Sequence, residues 1–407
     1  MLNNHFSTKV CIIGAGPAGL LLANILQQNK IPCIVVEKCS REEVFSRARA
    51  GLIDHKAVSI LKQYGLADRL LREGKPHGKC EFRSPEYSFL LEYSKMCEGR
   101  THYTYPQQEL LVDLIQKFQE AGGEIRFSTK CLVIKNSYPA QVSCYDEIKQ
   151  STIVIDCDFI AGCDGFHGIA RKSIPEEAVD IYYKNYNFSW LAITAAAPPS
   201  TEHIIYAIHP YGFAGHMLRN EKISRYYLQI SLDDSVDDWP DERVWSELHV
   251  RLAKDGWSLT EGKITDKQVL RMRSYVSNPI QYKHLFLAGD AAHILTPSGG
   301  KGMNLAIQDA EVLGKLMVNY YLISHNDSIL QQYSAIRLPE IWQTQEFSHS
   351  LLHMVNIDEQ NSENDRFMKQ LQQSKISQLM SLKTFAADFS RKYVGSLSDY
   401  NQLEMAC

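Results

Sequence analysis

Residues 10–37, VCIIGAGPAGLLLANILQQNKIPCIVVE, constrain this chain more than any other stretch. They predict a strand over Val10–Ile13, a glycine turn, a helix over Pro17–Gln28 and a second strand over Cys33–Val36 ending in an acid. Gly14, Gly16 and Gly19 fill a G-x-G-x-x-G pattern. The first glycine allows the tight turn, the second lets backbone approach a pyrophosphate, and the third lets helix pack closely on strand. The helix start offers free N–H groups and a partial positive charge to phosphate. Glu37 follows where such folds place an acid on a ribose hydroxyl. A lone glycine pattern is weak evidence, but here every part falls in register. The stretch predicts a dinucleotide site.

With 407 residues the chain can hold two or three domains. A net charge of −4 argues against a general affinity for nucleic acid. The ten cysteines are scattered and none forms C-x-x-C, so no metal site is expected and buried thiols in a reducing compartment are. The first strand begins almost at once, which predicts a chain without a signal peptide, in the cytoplasm. The apolar run 10–26 is accounted for by the glycine turn and helix rather than by a membrane span.

Further along, 41–49 carries three arginines and 54–64 has the apolar spacing of an amphipathic helix. Residues 79–92 alternate like β-hairpins, 107–121 reads as a helix, and 124–134, 141–145 and 152–161 read as a small antiparallel layer. A strand over Phe159–Gly162 then ends in Asp164–Gly165, with Arg171 beyond. Segments 187–197, 204–214 and 224–232 predict a second, antiparallel sheet, followed by a short helix over 245–252. In 285–304, LFLAGDAAHILTPSGGKGMN, a strand ends in Gly289–Asp290 and a glycine-rich loop opens a helix running to about residue 321. Residues 327–407 read as helical, with Pro339 near a helix start.

Together, the glycine turn, CDFIAGCDGFHGIAR and LFLAGDAAHILTP make the chain resemble the single-component, FAD-dependent aromatic hydroxylases over residues 8–397, and most of all their hydroxybenzoate-hydroxylating members. The resemblance implies an α/β (α+β) fold. It would comprise an FAD-binding dinucleotide domain over 1–180 with an inserted β-layer at about 75–105, and a substrate-binding β-sheet domain over 181–275. Residues 276–330 would return to the FAD domain, and a helical C-terminal interface region would span 331–407. Gly14, Gly16, Gly19, Glu37, Arg47, Arg49, Gln107, Asp164, Asp290, Gly299, Lys301, Gly302, Met303 and Asn304 would hold FAD. Arg219, Tyr227, Tyr206, Met217 and Pro297 would line an aromatic carboxylate site. Tyr206 and Tyr393 would relay the substrate's phenol proton towards His77, with Pro297 beside them. Lys38, Glu43, His167, Arg171 and Arg273 would meet NADH or NADPH, and Arg225 would act in flavin movement.

The implied reaction uses NAD(P)H and O2, through a flavin C4a-hydroperoxide, to convert 4-hydroxybenzoate to 3,4-dihydroxybenzoate in aromatic catabolism, in a homodimer. Met217 stands where the family has a serine, and Gly215 where it has a larger aliphatic residue. These departures imply a roomier pocket and keep open an amino- or dihydroxybenzoate in a biosynthetic route. A flavin-binding protein without turnover is disfavoured, because the cofactor loops, Arg219 and both tyrosines survive together.

Overall fold

A computed structural model describes residues 4–46, 51–357 and 363–395. Arg47 and Arg49 lie outside the described residues.

Val10–Ile13 and Cys33–Val36 are buried strands of one parallel sheet, ordered Gln281–Tyr282, Leu285–Leu287, Phe159–Gly162, Val10–Ile13, Cys33–Val36, Glu124–Arg126. Only the edge pair Gln281–Tyr282/Leu285–Leu287 is antiparallel. Near-continuous apolar strands suit a sheet covered on both faces. The helix Pro17–Gln28 packs there against Gly302–Asn319 and Gln107–Glu120. A second layer pairs His5–Ser7, Ser151–Cys157, Ala140–Asp146 and Thr129–Lys135. Glu124–Arg126, expected there, joins the parallel sheet instead, beside Cys33–Val36.

The other large unit is an eight-stranded sheet. Its order is His293–Ile294, Lys263–Asn278, Asp180–Ala196, Ile223–Ser231, Ala214–Asn220, Ile204–Ala207, Cys80–Arg83, Ser88–Leu91. The hairpin Cys80–Arg83/Ser88–Leu91 therefore extends this sheet, while Lys75–His77 pairs elsewhere, with His102–Thr104. The stretch 204–214 is two strands with a turn between, because Pro210 and Gly212 (φ +104°) break it. Strand alternation sends Trp190, Ala192, Tyr206 and Tyr227 to one face, against the helices Tyr333–Val355, Glu363–Ser381 and Lys383–Tyr393. Leu191, Ile193, Ile205 and Tyr226 face the other way, against Asp241–Arg251.

Pro339 falls inside the helix Tyr333–Val355 rather than at its start. Its neighbours hold the helix through it: buried Arg337 donates to Asp309 at 2.8 Å and Ile341 is fully buried. Tertiary packing thus outweighs a local cost of about 3 kcal/mol. Among the described residues, no helix is long and apolar enough to cross a membrane, and no cluster of His, Cys, Asp or Glu could hold a metal ion.

Candidate active site

Three glycine turns meet at one end of the parallel sheet. Gly14 has φ +108°, and a Cβ there would lie 2.3 Å from the Cys163 carbonyl oxygen, so the Asp164 motif packs directly on the first turn. A Cβ on Gly19 would lie 2.0 Å from the Gly14 carbonyl oxygen. Gly289 has φ +61° and lies against Ala18 and Ala306, in the first turns of the two long helices, whose N-termini therefore stand side by side. Neither helix start carries an acidic residue or a side-chain cap, and Gly16 and Gly302 face open space. What converges is a set of backbone N–H groups at two helix starts, with open space beside Gly16 and Gly302. Glu37 accepts from the backbone N–H of Ala15 (2.7 Å) and Cys39 (2.9 Å), which fixes its carboxylate at the rim. Asp290 is exposed in the turn Gly289–Ala291, and Gln107, buried, opens its helix.

The second centre lies on the helix-covered face of the eight-stranded sheet. Tyr206 pairs with Gly215, and Gly215 with Tyr227, in one row across three strands. The hydroxyls of Tyr206 and Tyr393 are 2.9 Å apart although residues 187 positions apart in sequence carry them. Burial holds both phenols well above their ordinary pKa, so they remain protonated. Met217 stands opposite Arg225 in the register, and the register shifts between Leu218 and Asn220. Arg219 is the extra residue, and such a bulge re-aims its side chain. Arg219 is largely buried, and its ordinary pKa is lowered by burial while Tyr227 acts in the opposite direction. Arg225 bonds Thr194 and Asp266, with its guanidinium 5.6 Å from the Tyr227 ring centre.

Similarity to known proteins decides the affiliation. A family profile described as "FAD binding domain" matches residues 7–348. The p-hydroxybenzoate hydroxylase of Acinetobacter baylyi is 36% identical over 389 residues, 95% of each chain. The p-nitrophenol 4-monooxygenase of Pseudomonas putida superposes with a TM-score of 0.81 at 16% identity, over 96% of this chain and 97% of that one. The anhydrotetracycline hydroxylase of Streptomyces rimosus does so at 0.76 and 19%, over 96% and 76%. The chain belongs to the FAD-dependent aromatic hydroxylases. It is a flavoprotein monooxygenase with FAD as cofactor and NAD(P)H as co-substrate.

The residues present fit FAD in this hydroxylase. Besides the open glycine cradle, Asp164 Oδ1 and Ser298 Oγ are buried without a partner, at the Asp–Gly turn and in the late glycine loop. Asp164 Oδ2 accepts from the Ala170 N–H at 2.9 Å, and burial raises the pKa of its carboxyl. Gly299 (φ +75°) and Gly300 (φ +64°) turn the late loop into its helix, with Pro297 before them and Met303 in its first turn.

Two side chains expected at the cofactor are used elsewhere. Lys301 Nζ bonds Asp54 Oδ2 (3.1 Å) and the Tyr393 carbonyl. Asn304 donates to the carbonyls of Leu52 (3.0 Å) and Gly300 (2.7 Å) and accepts from the Asp54 N–H. Both are drawn inward because a buried loop with left-handed turns needs its polar groups paired. Their backbone N–H groups are what they can still offer a ligand.

His77 does not touch the tyrosine pair: its Nδ1 lies 3.0 Å from the hydroxyl of Tyr93, in the three-stranded sheet. Gly215 does not leave the pocket roomier, since a Cβ there would lie 2.9 Å from the ring of Phe213, which fills that space and stacks on Trp190 at 4.5 Å. His167, Arg171 and Arg273 come together around Phe166. The Arg171 guanidinium lies 4.5 Å from the Phe166 ring and 4.6 Å from that of Tyr275, and Arg273 lies 4.3 Å from Phe166. Sequence reading missed Phe166, Tyr275, Tyr93 and His102; only the aromatic residue within CDGFHG was in a motif already noticed. Glu43, near Lys38, forms a capping box with Ser40: Ser40 N–H donates to its carboxylate (2.6 Å) and Glu43 N–H to Ser40 Oγ (3.1 Å).

Proposed function

We propose that the protein hydroxylates 4-hydroxybenzoate to 3,4-dihydroxybenzoate. The observation that carries this reading is the buried Tyr206–Tyr393 hydroxyl pair, on the sheet face that also bears Tyr227 and leads to the Arg219 bulge. The glycine cradle, Glu37, Asp164, Gln107 and Asp290 would hold FAD, with Gly299–Gly300 and the N–H groups of 301–304 near its ring. When bound, FAD supplies the redox chemistry, taking reducing equivalents from NAD(P)H and delivering one oxygen atom of O2 to the substrate ring.

The chain's own residues do the rest. A planar guanidinium and a phenol, Arg219 and Tyr227, bind the substrate carboxylate by charge-assisted hydrogen bonds. Tyr206 accepts the substrate's phenol proton as its own passes to Tyr393, which makes the ring carbon ortho to the oxygen electron-rich. Trp190, Phe213 and the helices over this face exclude water from the ring. His167, Arg171 and Arg273 hold the nicotinamide nucleotide's pyrophosphate, Arg225 assists flavin movement, and Glu43 disfavours a 2′-phosphate, so NADH is accepted. A cytoplasmic homodimer in aromatic catabolism accompanies this reading.

Met217, a thioether where a hydroxyl would meet the carboxylate, favours a second reading: a related amino- or dihydroxybenzoate. Aerobic NADH and NADPH oxidation with and without 4-hydroxybenzoate, with products separated by chromatography, distinguishes them. Stimulated oxidation yielding 3,4-dihydroxybenzoate supports the first. Hydrogen peroxide as the sole product, or no stimulation, rejects it in favour of the second.

A further inference from the structure

The Gly289–Asp290 turn is held from behind by one carboxylate. Asp309, fully buried in the helix Gly302–Asn319, accepts through Oδ2 from the Gly289 N–H at 2.9 Å. The same oxygen lies 2.6 Å from His293 Nε2, and Oδ1 accepts from Arg337 Nε at 2.8 Å. The three partners come from three parts of the molecule. Gly289 opens the turn that follows the strand Leu285–Leu287, His293 pairs with Val276 at the edge of the eight-stranded sheet, and Arg337 belongs to the helix Tyr333–Val355. Tyr333 lies one turn before Arg337 on the same face of that helix. Its hydroxyl donates to the Leu287 carbonyl at 2.9 Å, at the end of the strand that leads into the turn. One helix therefore grips the strand end directly and the turn through Asp309.

Charge decides which of these contacts matters most. A carboxylate taken out of water is unfavourable unless it is paired and hydrogen-bonded. Burial pushes the Asp309 pKa up, yet His293 and Arg337 outweigh it and hold the carboxyl down at about 2. An ionised carboxylate can only accept, so His293 Nε2 carries the proton it shares with Oδ2. Arg337, 1% exposed, brings a permanent charge. Its Nη1 donates to Glu340, which also bonds Lys56, so two carboxylates and two cations balance in the interior. Without Arg337 the Asp309 carboxyl would take up a proton or turn to another donor. The Gly289 N–H, at φ +61°, would then lose the acceptor that fixes its turn.

We propose that Arg337, acting through Asp309, positions the Gly289–Asp290 turn for FAD, so that the C-terminal helix Tyr333–Val355 sets how tightly the cofactor is held. The inference rests on the reading that this turn binds FAD. Arg337 is a positioning residue: it reaches the turn through Asp309, and Tyr333 supports it by fixing the strand end.

The test dilutes the FAD-loaded protein and measures free FAD in an ultrafiltrate, which gives its Kd. Arg337→Met nearly keeps the side chain's length and removes its charge, and FAD Kd should rise at least about fivefold. Arg337→Lys restores the charge and should bring Kd back to within about twofold of the parent. Adding Arg337→Met to Asp309→Asn should weaken FAD no further, since one acts through the other. Arg83→Met is the control. It breaks a comparably buried pair in the eight-stranded sheet, Arg83–Glu81 at 2.7 Å, and should lower the urea midpoint while leaving FAD Kd within about twofold of the parent. Tyr333→Phe loses one hydroxyl; it serves if Arg337→Met does not fold, and should raise Kd about threefold. A smaller rise, no recovery with lysine, or an equal rise in Arg83→Met would overturn the inference and leave the cluster to stability alone. Asp290→Ala separates the two readings. An unchanged FAD Kd there would reject the turn as an FAD site and the inference with it, whereas a raised Kd there with none in Arg337→Met rejects the inference only.

Discussion

The two halves of the site are built in opposite ways. The nucleotide half is made mostly of backbone: glycines that permit left-handed turns, and helix N-termini whose N–H groups have no partner. The ring half is made of side chains from positions 190 to 393, brought to one face of a sheet and sealed from water. A backbone site tolerates change in its side chains but not in its glycines. A side-chain site has the reverse sensitivity, and charge and protonation govern it.

The largest expected effect tests the backbone half. Gly14→Ala would set a Cβ 2.3 Å from the Cys163 carbonyl oxygen at φ +108°, so the variant should purify without flavin. Retention of visible absorbance near the parent's would show that this turn does not set FAD binding.

Acid should weaken the fold through its buried histidines. Burial lowers the pKa of His77 to about 4 from 6.5, and His216 behaves in the same way. Below 6.5 the unfolded chain takes up protons that the folded chain refuses, so stability is full above pH 6.5 and is lost as pH falls towards 4. The loss is about 3 kcal/mol for His77 alone. Four of the five tryptophans, Trp190, Trp239, Trp245 and Trp257, lie in or against the eight-stranded sheet, so urea unfolding followed by their fluorescence reads it. An unfolding midpoint unchanged between pH 7.5 and 4.5 would contradict the neutral burial of these rings.

Tyr206→Phe removes one hydroxyl from the 2.9 Å pair. It should lower kcat for hydroxylation about 100-fold with little change in KM, the mark of an interaction used only in the reaction. A change confined to KM would turn Tyr206 into a binding residue. Smaller still, Arg219→Ala should raise substrate KM about tenfold, as a charged hydrogen-bonding partner is lost. An unchanged KM would place the carboxylate elsewhere.

The first glycine turn, its strands and helix, and the Gly–Asp loop were legible because each is a local pattern: turn, dipole and apolar strand follow from neighbours in sequence. The pairing of Tyr206 with Tyr393 was legible only through resemblance, since no periodicity joins residues so far apart. Lys301 and Asn304 sit in the loop where expected, yet their side chains turn inward, because the loop's buried polar groups take them. Gly215 read as empty space and is occupied by Phe213.

By itself, then, the sequence determined a dinucleotide cradle, because its geometry is written in consecutive residues and their backbone preferences. Only the tertiary structure decided which tyrosines share a hydrogen bond, that Arg219 sits on a bulge, and that Arg337 reaches Asp309. Those are contacts across sheets and helices. Strand register and packing create them, and no local rule carries that information.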